Sequence, residues 1–208
     1  MINEKLQQRI KETTTQFFEF IQSKIKVRTF FIGQIKNEAL SFLHVVNNDG
    51  SVFEEGVSVP LKDTYCRLLY PSKREPIIIE DSSQHPDVKD LLITKTAKIG
   101  SYMGAPIVFS DGSFFGTVCA TDPDPHQFSK DELELLRLFA AFIANTIELD
   151  QSLTKISNYQ EKLNFELDLA RKVQESILPV DIEDEQLSVE ALYLPSHWLS
   201  GDMYSWHK

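Results

Sequence analysis

The sequence predicts an α+β fold, an antiparallel sheet flanked by helices and followed by a long C-terminal coiled-coil helix. Three observations carry that expectation. Residues 26–53 are rich in β-branched and aromatic side chains broken by turn residues, Asp111-Gly112 sits between two apolar runs, and no proline or glycine interrupts 129–178. Runs of the first two kinds read as antiparallel strands and hairpins, and the last as one continuous helix.

Leu6, Ile10, Phe17, Phe20, Ile21 and Ile25 recur at three- and four-residue spacing among Glu, Gln and Lys, the pattern of an amphipathic helix before the first strand. Residues 26–53, broken at Gly33, Asn37-Glu38 and Asn47-Asn48-Asp49-Gly50, predict two or three strands, the last pair joined by the Asn-Asp-Gly turn. Pro60–Tyr70 reads as helix after its opening proline, Pro76–Ile79 as a short strand and Pro86–Lys95 as a second short helix. The clearest hairpin runs from Ser101 to Phe109 and from Phe114 to Thr121, because Gly112 can take the positive φ of a tight turn. Pro106 has no N–H to give, so its strand must be unpaired on one side there, or bend.

Ser129, with Glu132 three residues on, is a capping box that starts the long helix. From Leu135 a 3,4 repeat holds one register through Phe139, Phe142, Thr146, Leu149, Leu153, Ile156, Gln160, Leu163, Leu167, Ala170, Gln174 and Ile177. A helix over 129–178 would span ~75 Å, several times what covers a small sheet. Its second half must pack on something else, either a neighbouring helix of the same chain or a second copy. No other segment is long enough to cover it, so a parallel homodimer with a seam from Leu149 to Ile177 is expected. Gln160 and Gln174, polar at the same heptad letter, would fix its register.

Composition narrows the function. The 208 residues carry 31 Asp+Glu against 21 Lys+Arg, a net charge of −10, which argues against nucleic-acid binding and against attraction to an anionic membrane. The longest apolar run is seven residues, Leu138–Ala144, too short for a signal peptide core or a membrane helix. Cys66 and Cys119 are the two cysteines, with no CxxC, so a disulfide framework or structural zinc site is not expected and a cytoplasmic location is. Free cysteines of this kind are usually small buried hydrophobes, redox sensing being the alternative. His44, His85 and His126 stand singly, the pattern of structural or surface histidines rather than haem ligands. The acids of 181–185 lack the spacing of a calcium loop and read as a solvated linker.

Tyr102-x-Gly104-x-Pro106, Asp111-Gly112, Gly116-Thr117-x-Cys119, Asp122, Pro125, Phe128 and 133–139, preceded by Thr64-Tyr65-Cys66 and Pro76-Ile77-Ile78-Ile79-Glu80-Asp81, resemble the signature of GAF sensor domains. The resemblance implies a six-stranded antiparallel sheet over 1–150 and a small-molecule pocket between one sheet face and the short helices. Tyr65, Cys66, Leu69, Tyr102, Ala105, Ile107 and Cys119 are the expected pocket residues. Bilin-carrying relatives attach pigment through a cysteine followed by histidine, whereas Cys66 is followed by Arg67.

A second resemblance lies at the other end. Ala170-Arg171-x-Val173-Gln174-x-x-Ile177-Leu178-Pro179, Tyr193-x-Pro195 and Ser200-Gly201-Asp202-Met203-Tyr204 are similar to the entry of SpoIIE/RsbU-like PPM-type protein-serine phosphatases. It implies that Asp202 is one ligand of a catalytic manganese or magnesium in a longer protein acting on a phosphoprotein. Two-metal hydrolysis needs several carboxylates, and none follows Asp202 in this sequence. The expected organisation is therefore a GAF domain over 1–150, a coiled-coil signalling helix over 151–179, and a linker with the start of a phosphatase domain over 180–208. Without cofactor or complete catalytic site, the chain is expected to act as a sensor and dimerisation module, or as a ligand-free scaffold.

Overall fold

A computed structural model of the chain describes residues 4–47, 53–70, 75–183, 185–195, 197–201 and 203–206. The chain forms two compact units, Met1–Leu149 and Asp150–Lys208.

The first unit is built on a six-stranded antiparallel sheet. Its strands are β1 (Thr29–Lys36), β2 (Ala39–Asn47), β3 (Ser58–Pro60), β4 (Ile77–Ile79), β5 (Ser101–Val108) and β6 (Phe114–Asp122), in the order β3-β2-β1-β6-β5-β4. The β1–β2 hairpin turns at Asn37 and Glu38, both at positive φ, the backbone of a two-residue turn that matches strand twist. Gly33, expected as a break, lies inside β1 at a bulge that re-registers β1 on β2. The Asn48-Asp49-Gly50 turn lies outside the described residues. In the β5–β6 hairpin Gly112 has a φ of 80°, and the Asp111 carboxylate accepts from the Ser113 amide at 2.8 Å. Pro106 pairs with Thr117 of β6 and lies beyond the end of β4, whose pairing stops at Gly104, so on the β4 side its missing N–H has no strand to bond.

Residues 60–70 are not an α-helix. They form two 3₁₀ turns, Leu61–Asp63 and Tyr65–Leu68, separated by Thr64 in an extended conformation that ends any helical run. Likewise, the helix expected over 86–95 shrinks to α2, Leu92–Thr96.

Helices α1 (Glu4–Lys24) and α3 (Lys130–Ser176) bury apolar residues against one sheet face. Phe18 and Ile21 of α1, with Ile25 just after it, join Leu136, Phe139, Ala140, Ile143 and Ile147 of α3 on Phe30, Ile32, Met103, Val118 and Ala120. The Phe17 ring stacks on Phe142 at 4.3 Å between centroids, and Phe18 meets Phe139 edge-on at 5.2 Å. The capping box forms as expected. Glu132 N–H donates to Ser129 Oγ at 3.2 Å, and Ser129 N–H to the Glu132 carboxylate at 2.7 Å.

In the second unit α3 continues to Ser176, and a two-stranded ladder pairs β7 (Ile182–Glu183) with β8 (Ser188–Val189). The strand expected over 187–194 is thus reduced to its first part. No helix among the described residues is long and apolar enough to cross a membrane.

Candidate functional site

Alternation along the strands decides which residues can share a site. On β5 and β6, Tyr102 and Cys119 point away from α1 and α3, into a second core with Phe31, Phe42, Phe53, Tyr65, Cys66, Val88 and Ile99. Ala105 and Ile107, expected in the same pocket, take the other parity and are buried among the helix-side residues. They do not belong to the pocket. Leu69 is fully buried and lines neither of the cavities described below.

The four remaining expected residues do come together. The Tyr65 and Tyr102 rings lie 5.0 Å apart, and the Tyr102 hydroxyl is 3.1 Å from Cys119 Sγ and 3.8 Å from Cys66 Sγ. The two sulfurs are 3.8 Å apart, with both thiols free. Thr117 Oγ1 donates to Cys66 Sγ at 3.3 Å and accepts from Cys119 Sγ at 3.4 Å. Gly104 makes room for this group, because a Cβ there would meet the Tyr102 hydroxyl at 2.3 Å. Thr94 hydroxyl donates to the Val88 carbonyl, so Tyr65 must be the donor in its 2.9 Å bond to Thr94.

These contacts separate the two thiols. Burial pushes the Cys66 thiol up, yet hydrogen bonding with Cys119, Thr117, Tyr102 and Thr64 outweighs it and leaves its pKa below the ordinary value. Burial, then the hydrogen bond and charge of Cys66, drive Cys119 well above it. Tyr102 is raised strongly too, by burial and then by the neighbouring sulfurs.

The interior of the pocket is filled by its own side chains. Between Phe31, Phe42, Phe53, Tyr65, Cys66 and Tyr102 about 10 Å³ stays open, room for about one water. An open groove of about 580 Å³ lies beside it, walled by Phe42, Phe53, Val57, Val59, Leu92 and Ile93, with Glu54 and Asp63 at its polar positions. Phe42, Phe53 and Ile93 line both spaces. The sequence reading missed the phenylalanines; the run Phe30-Phe31-Ile32 held the signal, since alternate residues must face opposite sides.

None of the single histidines lines either space. His44 is buried against Thr14 and Phe18 on the helix side, and His126 lies against Phe128. Among the described residues no group of three or more His, Cys, Asp or Glu is placed to hold a metal ion, and Asp202 lies outside them.

Along the second unit's part of α3, the seam residues Leu153, Ile156 and Leu163 are more than half exposed, as are Ile177 just past the helix and Leu149 at the end of the first unit. Gln160 and Ala170 are exposed and Leu167 is half-buried. Gln174 departs from its expected place at the seam. Its amide donates to the Ser200 carbonyl at 2.5 Å and accepts from the Ser200 N–H at 3.2 Å, so the chain's own tail occupies it.

Comparison with known proteins agrees with this geometry. The GAF domain family model matches residues 34–147. The chain belongs to the GAF domain family. The GAF domain of an Acinetobacter phosphoenolpyruvate-protein phosphotransferase superposes with a TM-score of 0.54 at 16% identity, over 74% of this chain and 99% of that one. A type II free methionine-R-sulfoxide reductase from Thermoplasma acidophilum gives 0.55 at 15% identity, over 68% and 94%. A far-red cyanobacteriochrome photoreceptor gives 0.57 at 16%, over 67% and 86%. At such identities the shared property is the GAF fold. Diguanylate cyclase DgcP of Escherichia coli K12 is 36% identical over 59 residues, 28% of this chain and 17% of that protein's length.

Proposed function

We propose that this GAF protein is the sensor and dimerisation module of a signalling protein, cytoplasmic in location, in which two copies pair through α3 and control an effector continuing beyond it. The observation that carries the reading is the exposed apolar stripe from Leu149 to Ile177. A solvated helix face does not normally present such a row, and Gln160 within it is a residue type that sets register between identical helices. The diguanylate cyclase relative supports an output-coupled role, and the motifs from Ala170 to Tyr204 favour a PPM-type serine phosphatase as the output. In that longer protein manganese or magnesium would be held partly by Asp202 and the substrate would be a phosphoprotein.

A small ligand would bind in the groove beside Phe42 and Phe53. It would control the effector by binding one arrangement of the paired helices more tightly than another. The filled interior supports a second reading, a ligand-free scaffold. Sedimentation at micromolar concentration tests the pairing. A dimer that Ile156→Asp and Leu163→Asp convert to monomer is expected; a monomeric wild-type chain would refute it.

A further inference from the structure

We propose that Cys66 and Cys119 are a modification site, a buried dithiol that a small hydroperoxide converts reversibly to an intramolecular disulfide. This does not depend on the dimer or on a groove ligand.

The geometry is the first argument. The sulfurs already touch at 3.8 Å, and a disulfide requires ~2.05 Å, a closure of under ~2 Å. Cys119 is fixed on β6, which is paired on both sides by β1 and β5, whereas Cys66 lies on the short 3₁₀ turn Tyr65–Leu68. The closure can therefore be made by the turn while the sheet stays in place.

Access decides the oxidant. Both cysteines are at most 1% exposed, so a protein disulfide or another bulky thiol reagent cannot line up with either sulfur. Cys66 does border the water-sized space that shares Phe42, Phe53 and Ile93 with the open groove. Hydrogen peroxide, little larger than water, is of the size that this space admits.

The chemistry balances with the groups present. Cys66, the more acidic thiol, attacks the peroxide as thiolate; the O–O bond breaks, one oxygen stays as Cys66 sulfenic acid, and the other leaves as alkoxide or hydroxide and takes up a proton. Cys119 loses its proton and attacks the Cys66 sulfur. The S–O bond breaks, and the departing hydroxide takes a proton to become water. Two thiol hydrogens and two electrons pass to the peroxide, giving a disulfide, water, and a second water or an alcohol. The product is neutral, so it leaves no charge buried between the two sulfurs. Among the described residues no third His, Cys, Asp or Glu joins the two thiols to hold a metal ion.

The test uses the whole wild-type chain with hydrogen peroxide. Intact mass should fall by two hydrogens, thiol titration in denaturant should fall from two groups to none, and a peptide map should link Cys66 to Cys119 within one chain. A dithiol reductant should reverse all three. Closing a loop of this length should raise Tm by ~10 °C. In Cys119→Ser the second step is blocked, and intact mass should instead rise by one oxygen, the Cys66 sulfenic acid. Two alkylatable thiols after peroxide treatment, oxygen addition without the cross-link, or cross-links between chains would each overturn the proposal. The wild-type mass and map decide the matter even where the variant does not fold.

Discussion

His44 shows how one residue ties pH to the helix-side core. Thr14 hydroxyl spends its proton on the Ile10 carbonyl at 2.7 Å, so its 2.8 Å contact with His44 Nδ1 must be a bond donated by the ring. The ring therefore carries a proton on Nδ1, stands edge-on to Phe18, and has Nε2 3.9 Å from Glu55. Burial lowers the His44 pKa by more than the Glu55 charge raises it, and Lys11 lowers it further. The unfolded chain would bind this proton near the ordinary value of about 6.5, the folded chain only at lower pH. Between those points the unfolded state holds more protons, so stability rises with pH and is lost as pH falls through that window. Melting curves from pH ~7.5 down to ~5 should show Tm falling, with a shallower fall in His44→Asn, whose amide can still donate to Thr14. An identical slope in both would remove His44 as the cause. Glu55 acts in a separate window: burial raises its pKa, but bonds from Lys11 and the Val45 amide outweigh that and hold it below its ordinary value. Its contribution is present above about pH 4.5 and lost as pH falls below that.

At the scale of the element, the start of α3 is set by two side chains three residues apart. Ser129→Ala removes the Oγ that accepts from the Glu132 amide, and should cost ~1 kcal/mol, seen as a lower urea midpoint with an unchanged m-value. An unchanged midpoint would mean that packing of Leu136 and Phe139 alone fixes the helix start. This cap was legible in the sequence because it is local, and so was the Gly112 turn. The two 3₁₀ turns of 61–68 were not, since apolar spacing cannot distinguish a helix from turns pinned by burial of Leu61, Tyr65 and Cys66. The pocket was half legible. Tyr102 and Cys119 were found by motif, but Ala105 and Ile107 were grouped with them although strand parity sends them to the opposite core. Nothing local could bring Cys66 to Cys119, 53 positions away, because their contact exists only once β1, β5 and β6 have paired.

On the scale of the whole molecule, the two units differ in what holds them. The first buries apolar residues on both faces of its sheet, whereas α3 past Leu149 has its apolar side chains largely in solvent. Its own support there consists of ion pairs at four-residue spacing, Lys162 with Glu166 at 3.7 Å, Lys172 with Asp168 at 2.7 Å and Arg171 with Glu175 at 2.8 Å. Such pairs contribute only ~0.2–0.5 kcal/mol each to an exposed helix, and most helical stability in proteins comes from packing of an apolar face rather than from intrinsic propensity. Helicity in the second unit should therefore depend on pairing, and pairing on concentration. Dilution should reduce the far-UV helical signal while the near-UV signal of the aromatic core of the first unit stays constant. Each copy carries a net charge of −10, so association brings like charges together. Raising the salt from ~0.01 M to ~0.15 M shortens the screening length from ~30 to ~8 Å and should move the loss of helix to lower protein concentration. A helical signal independent of both dilution and salt, in a chain that sediments as a monomer, would show that the exposed stripe needs no partner.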